Sequence, residues 1–305
     1  MIRILVTDGM DKKAAAKLES LGCEVVQEFY EPEVLAEKVK NFDVLVVRSA
    51  TKVREPIIDG ALETGRLKLI IRGGIGVDNI DVDYARSKGI EVCNTPTASV
   101  HSVAELAIAH IFALSRFIGI ANVTMREGKW EKKAYKGIEV AGKTMGIHGF
   151  GSIGRETAAI ASALGMKVIY YSASGRQSKD ERFEAVSSQD ELLERADFVS
   201  LHRAVKKGEA PLVTKEFLEK MKPGAFLINT SRGSLVDEEA LADALEKGVI
   251  AGAGLDVYAE EPSKNERLLQ NPKVSLTPHI GGSTKEAQAR IGEEIVAHIQ
   301  RVFKI

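Results

Sequence analysis

The sequence predicts an α/β protein built from two doubly wound parallel sheets. Two observations carry that expectation. Short β-branched runs alternate with amphipathic helical patterns along nearly all of the 305 residues, and this length exceeds what one compact domain usually holds. The runs are apolar on both faces, as strands of a covered parallel sheet are. IRILV (2–6), VLVV (44–47) and LKLII (67–71) form one series, with helical stretches from Lys12 to Leu21 and from Pro32 to Val39 between them. Pro32 suits a first helical turn. TMGIHGF (144–150), KVIYY (167–171), FVSL (198–201), AFLIN (225–229), VIAGAGLDV (249–257) and KVSLT (273–277) form the second series. Its helices carry boundary signals: Asp237 caps EEALADALEKG and Gly248 closes it, Thr214 opens TKEFLEKM, and Ser283 with Glu286 makes a capping box for the last helix. A long helical pattern from Val100 to Phe117 follows the turn-rich NTPTAS (94–99) and reads as the passage from one sheet to the other. The final helix, Thr284 to Phe303, returns to the first. The expected layout is discontinuous, with 1–95 and 283–305 as one domain and 96–282 as the other.

Composition narrows the function classes. Lys and Arg number 42 against 43 Asp and Glu, a formal charge of −1, so no excess positive field exists to hold nucleic acid or an anionic membrane. Hydrophobic residues at 44% and charged residues at 28% exclude disorder as the main state. Cys23 and Cys93 form no CxxC pair, so neither a disulfide framework nor a metal site is expected, and a reducing cytoplasm fits. The first apolar run breaks at Asp8, too early for a signal-peptide core, and no 18-residue apolar stretch is available to span a membrane.

GIHGFGSIGRETA places Gly149, Gly151 and Gly154 after a predicted strand and at the start of a helical pattern. That context is what a dinucleotide-binding turn requires: glycines permit the tight turn and the close approach of a pyrophosphate to free N–H groups at the helix N-terminus. The domain that holds it is expected to be Rossmann-like and the other flavodoxin-like. The next strand, KVIYY, ends at Ser172, where an acidic residue would grip the ribose 2′-hydroxyl of NAD; Ala173, Ser174, Gly175 and Arg176 follow. Hydroxyls and a guanidinium would accept a 2′-phosphate that a carboxylate would repel. Either NADP is tolerated or preferred, or Arg176 points into water and NAD binds less tightly.

A second constellation lies just past predicted strands: Arg232 in NTSRGSLVD, Glu261 in GLDVYAEEP and His279 in LTPHIGG. Open α/β sheets hold their ligands at strand C-termini. A histidine beside a carboxylate is a general acid/base, and an arginine can hold an α-keto carboxylate bidentately. Taken singly, each has a plainer explanation as a surface charge, a loop acid or a strand-end hydrogen-bonder. His110 and His298 fall in helical patterns and read as packing residues, His101 is ambiguous, His148 reads as structural, and His202 ends a strand where it could approach a cofactor.

Six segments in order, VVRSATKV (46–53), IIRGGIGVDNID (70–81), the nucleotide turn, INTSRGSLVDEEAL (228–241), GLDVYAEEP (254–262) and TPHIGGSTKEAQ (277–288), make the chain resemble the D-isomer-specific 2-hydroxyacid dehydrogenases. Within them it is most similar to the phosphoglycerate dehydrogenase branch. The resemblance implies Arg232, Glu261 and His279 as the catalytic set, with Asp256 at the nicotinamide end. It implies a nucleotide cradle drawn from Ile75, Gly149, Gly151, Ser152, Ile153, Gly154, Ser172, Arg176, Arg203, Thr230, Ser231, Gly281 and Gly282. Gly73, Gly74, Ile75 and Gly76 resemble the loop whose amides hold the substrate carboxylate. Arg48 and Arg72 would meet a substrate phosphate, with Lys132 reaching across from a partner subunit; ordinary surface charges are the plainer alternative. On this resemblance the activity is NAD(P)-dependent oxidation of 3-phospho-D-glycerate to 3-phosphohydroxypyruvate in serine biosynthesis. The alternatives are an NADP-dependent hydroxypyruvate or glyoxylate reductase and, outside enzymes, a dinucleotide-sensing corepressor. Pro262 restricts Glu261 to extended geometry. A homodimer is implied through the long helix and residues 128–133, with Trp130 as anchor. Two departures stand out: HRAVKKGEAP (202–211) has Ala204 where the family commonly has proline, and Ser99 stands where asparagine is frequent. No segment corresponds to the regulatory serine-binding domain of the longer relatives, so no feedback through one is expected.

Overall fold

The computed structural model describes residues 1–205 and 208–305. The chain divides into two compact units, Met1–Ser99 with Gly282–Ile305, and Val100–Gly281. In the first, β1 (Arg3–Val6), β2 (Glu24–Gln27), β3 (Val44–Val47), β4 (Leu69–Arg72) and β5 (Glu91–Asn94) form a sheet of order β2-β1-β3-β4-β5. Every pairing is parallel. This is the flavodoxin-like order, whose topological switch lies between the first and third strands. The second unit has seven parallel strands: β6 (Thr144–His148), β7 (Lys167–Tyr171), β8 (Phe183–Ala185), β9 (Phe198–Leu201), β10 (Phe226–Asn229), β11 (Gly252–Leu255) and β12 (Val274–Leu276). Their order is β12-β11-β10-β9-β6-β7-β8. Counted from the unit's own first strand this is the Rossmann order with one strand added, and the switch lies between β6 and β9.

The division follows from packing. Residues 96–99 and Gly282, expected in the second domain, belong to the first: Thr95, just before them, donates its amide to Gly74 O at 3.0 Å, and Ala98 is buried in that unit's core while its carbonyl accepts from Arg290 Nε at 2.8 Å. The C-terminal helix α12 (Lys285–Phe303) stays with the first unit because Ile291, Ile295 and Ile299 recur every four residues on one face and enter the same core as Ile4, Val6, Val44 and Ile71. Each such side chain contributes about 1.5–3 kcal/mol by leaving water.

Several boundaries differ from the sequence expectations. Strands β2, β5 and β8 were not foreseen; β2 and β8 are edge strands with few buried residues, so they lack the continuous apolar signature. The strand expected over 249–257 is confined to Gly252–Leu255. The helix expected from Val100 to Phe117 is α5 (Val100–Ser115), two residues shorter, and a helix that was not expected, α6 (Ile118–Arg126), follows it at 63°. Phe117 takes the left-handed conformation at φ 55°, and the Ser115 carbonyl accepts from Ile138 N at 2.9 Å instead of continuing the helix. Asp237 and Thr214 cap as expected. The cap of α12 is Thr284 rather than Ser283, because the Thr284 hydroxyl accepts from Ala287 N at 3.1 Å. Among the described residues no single helix is long and apolar enough to cross a membrane.

Candidate active site

The nucleotide turn runs from β6 into helix α7 (Ser152–Ala163), and its three glycines have three different causes. Gly149 sits at φ 102°, and a Cβ there would lie 2.6 Å from the carbonyl of His202 at the end of β9. A Cβ on Gly154 would lie 2.2 Å from Gly149 O, so only glycine lets the helix pack this closely on the strand. Gly151 has nothing within 4 Å of that position: it faces open space. No side chain caps α7, and among the described residues the amides of Gly151, Ser152 and Ile153 donate to no acceptor. Free donors, the helix dipole and an open approach fit a pyrophosphate. Thr230 adds a further observation in favour of a ligand, since its Oγ1 is buried and has no partner among the described residues.

Beyond β7, Ser172 Oγ lies 3.1 Å from Ser174 Oγ, and Gly175 turns the chain at φ 67° so that Arg176 is exposed with no described partner. No carboxylate occupies this strand end; Asp180, the first acid after it, is held by Arg182. Arg203, expected to face the cofactor, is instead ion-paired with Glu209. Lys206 and Lys207 of the same loop lie outside the described residues. His202 is also diverted: its Nε2 pairs with Ser200 Oγ at 2.8 Å, and burial pushes the imidazole down to about 3, so it stays neutral. His148, read as structural, is buried, with Nε2 3.0 Å from Gln189.

The two residues expected as the acid/base pair are brought together. His279 Nδ1 lies 2.8 Å from Glu261 Oε2, with both side chains about a third exposed. The Glu261 carboxyl is half-buried, which by itself would raise its pKa; the His279 hydrogen bond and charge, the Tyr258 amide at 3.3 Å and the Arg232 charge outweigh this and hold it below the usual carboxylate range. Nδ1 therefore donates to Glu261, and Nε2 is left to handle a proton. Arg232 leaves β10 through Asn229, whose side chain bonds Ser231 N and Arg232 O, while Ser231 Oγ donates to Arg203 O. Arg232 Nη1 donates to Ser231 O at 2.7 Å. Gly233 is required next to it: a Cβ would meet the Tyr258 carbonyl at 1.9 Å.

Asp256, expected at the nicotinamide end, is 1% exposed and anchors the turn beneath His279. Its carboxylate accepts from Thr277 Oγ1 at 2.6 Å, Ile280 N at 2.8 Å and Gly281 N at 2.8 Å, and its carbonyl accepts from His279 N at 2.8 Å. Gly281 thus serves this turn. Gly282 lies in the first unit against Ser99 and accepts from Gln288.

The anion-binding candidates of the first unit form their own cluster. The Arg48 side chain packs along Gly73, and the Arg72 guanidinium lies over Gly74, where a Cβ would be 1.4 Å from Nη1. Burial lowers the Arg48 pKa against the opposing pull of Asp8. Ile75 O accepts from Asn94 Nδ2, and the amides of Ile75 and Gly76 meet no acceptor among the described residues. The sequence reading missed the clamp on this loop. Asp8 accepts from the amides of Arg48 at 2.6 Å and Thr51 at 3.1 Å, and Asn79 Nδ2 donates to the carbonyls of both at 2.7 Å. Asp8 lies just past the C-terminal end of β1, the one signal that could have marked it. Lys132 is exposed in the second unit, with no described partner.

Comparison with known proteins bears on these residues. Residues 108–281 match the family described as D-isomer specific 2-hydroxyacid dehydrogenase, NAD binding domain. A hydroxypyruvate reductase of Thermotoga maritima is 46% identical over 99% of this chain and 97% of its own length. A D-3-phosphoglycerate dehydrogenase of Methanocaldococcus jannaschii is 42% identical over the whole chain, which spans 58% of that protein's length. Among solved structures, an NADPH-dependent glyoxylate/hydroxypyruvate reductase of Sinorhizobium meliloti, in complex with NADP and malonate, superposes with a TM-score of 0.86 at 28% identity, covering 99% of this chain and 93% of the other.

Proposed function

Since this chain belongs to the D-isomer-specific 2-hydroxyacid dehydrogenase family, we propose that it catalyses the reversible NAD(P)-linked oxidation of 3-phospho-D-glycerate to 3-phosphohydroxypyruvate, the opening reaction of serine synthesis. The observation that carries the chemistry is the 2.8 Å His279–Glu261 pair beside Arg232. His279 Nε2 takes the C2 hydroxyl proton in oxidation and returns it in reduction, while Glu261 fixes the tautomer and stabilises the imidazolium. Arg232 binds the carboxylate and polarises the C2 carbonyl. The bound nicotinamide supplies the hydride acceptor in one direction and the donor in the other. The free amides of Ile75 and Gly76 are assigned to the substrate carboxylate. Arg48 and Arg72, whose side chains pack against Gly73 and Gly74 of one loop, are assigned to the phosphate, with Lys132 from a partner subunit. The partner copy is placed on the exposed apolar side chains of Ile118, Val123, Met125 and Trp130, and the enzyme in the cytoplasm.

A second reading is NADPH-linked reduction of hydroxypyruvate or glyoxylate. The carboxylate-free strand end at Ser172, with Ser174 and Arg176, favours the 2′-phosphate, and the full-length match to the Thermotoga protein favours the smaller substrate. Initial rates separate the two: 3-phosphoglycerate against D-glycerate, and 3-phosphohydroxypyruvate against hydroxypyruvate, each with NAD(H) and NADP(H). Turnover confined to the phosphorylated acids supports the first reading, and equal or faster turnover of the unphosphorylated acids overturns it.

A further inference from the structure

His110 lies in the middle of α5, 2% exposed, and takes no part in the chemistry proposed above. Its ring is nonetheless bonded at both nitrogens. Nδ1 is 2.9 Å from Ser275 Oγ, and Nε2 is 3.2 Å from Thr277 Oγ1. The space for it is made by Gly254 of β11, where a Cβ would lie 2.7 Å from the His110 Cβ. Thr277 Oγ1 is in turn 2.6 Å from Asp256 Oδ1.

The donors in this chain can be assigned by elimination. A carboxylate only accepts, so the Thr277 hydroxyl hydrogen points at Asp256. Thr277 Oγ1 then has only lone pairs for His110, so Nε2 carries the hydrogen. Nδ1 is left as an acceptor for the Ser275 hydroxyl. The ring must be neutral to play both roles, and burial, working against the pull of Asp256, lowers its pKa and keeps it so. Tyr258 braces the same segment by donating its hydroxyl to Thr277 O at 2.9 Å. At the far end, Asp256 holds the amides of Ile280 and Gly281, the two residues after His279, whose own backbone is left-handed at φ 55°. A non-glycine residue in that conformation persists only where its surroundings hold it.

We propose that His110, acting through Thr277 and Asp256, is a positioning residue for His279: a directed hydrogen-bond chain from α5 orients the Asp256 carboxylate, which holds the turn that aims the acid/base. This rests on the assignment of His279 as acid/base. The chain was not legible in the sequence, because Ser275 and Thr277 stand 165 and 167 positions from His110.

The test uses the full chain with four substitutions and two readouts. Thr277→Val keeps the shape and removes the hydroxyl; Thr277→Ser restores it. His110→Phe fills the volume without a donor, whereas the amide of His110→Gln places an N–H near the position of Nε2. Hydrogen–deuterium exchange over residues 277–283 reads the turn without reference to activity, and kcat and KM for the oxo acid read its consequence. In Thr277→Val, exchange at Ile280 and Gly281 rises and kcat falls, each about tenfold, as for one lost hydrogen bond to a charged group. KM and cofactor affinity change less than about twofold. His110→Phe moves both readouts the same way by about threefold, and the Ser and Gln variants recover them. Unchanged exchange and kcat in Thr277→Val and His110→Phe overturn the proposal, as does a His110→Gln variant as impaired as His110→Phe. If exchange rises but kcat holds, the chain has no catalytic consequence and the positioning role is overturned. Wild-type protein that turns over no oxo acid overturns the dehydrogenase reading instead, separately from the exchange result.

Discussion

Two turns of the second unit, both following parallel strands, handle their polar groups in opposite ways. The turn beneath His279 is closed by the protein. Asp256 accepts three hydrogen bonds through its carboxylate and one through its carbonyl, and Glu261 takes the imidazole Nδ1. The turn that opens α7 is left open, with an uncapped helix, unaccepted amides and empty space over Gly151. On the proposed function, the groups that move a proton along a fixed line are completed before substrate arrives, which is what electrostatic preorganisation requires. Groups that must bind an anion are left incomplete, because the ligand supplies the missing acceptors.

Breaking the closed turn should act on rate. Glu261→Gln keeps the shape and removes the charge that orients and stabilises His279, so kcat falls about 100-fold, while cofactor affinity measured by nicotinamide fluorescence stays put. A loss confined to KM would contradict this. Filling the open turn should act on binding alone. Gly151→Ala meets nothing in the protein, so the melting temperature stays the same while cofactor affinity falls about tenfold; Gly154→Ala collides with Gly149 O at 2.2 Å and costs about 1–3 kcal/mol of stability. Equal melting temperatures for the two variants would show that the glycines do not divide their roles this way. Recharging the strand end sharpens the second reading: Ser172→Asp is expected to move the NADP-to-NAD ratio of kcat/KM about tenfold toward NAD.

The smallest effect is a pH dependence. The folded Glu261 carboxyl lies below its ordinary value of 4.5. Its contribution to stability is therefore fully present above that value and is lost as pH falls through the folded value. Denaturation of wild type and Glu261→Gln, compared from pH 6 down to pH 3, should show a difference that shrinks on the acid side only. A difference that grows on acidification would reverse the sign argued here.

Legibility divided along the same line. The glycine turn and the Arg232, Glu261 and His279 segments could be read because each is local: a strand, a few residues and a helix or turn. Both sheets were legible where strands are buried on two faces, and the β2 and β8 edges were not, since half-exposed strands carry no continuous apolar run. The end of α5 was legible to within two residues; the partner that takes its Ser115 carbonyl, Ile138, stands more than twenty residues on and was not. Arg203 looked open for a cofactor because an irregular segment has no periodicity to pair it with Glu209, six residues on. Asp8, Asn79 and Thr277 act through long-range hydrogen bonds, which leave no periodic trace in sequence.

The central claim is that His279, held by Glu261, moves the proton of a D-2-hydroxyacid dehydrogenation. Its most direct test is kcat for wild type and His279→Ala with 3-phosphohydroxypyruvate and hydroxypyruvate, alongside cofactor affinity for both proteins. The account predicts measurable wild-type turnover with at least one of these acids, a loss of about 1,000-fold in His279→Ala and unchanged cofactor affinity. Equal turnover in the two proteins, or none in wild type despite tight cofactor binding, would contradict it and favour a dinucleotide-sensing binding protein.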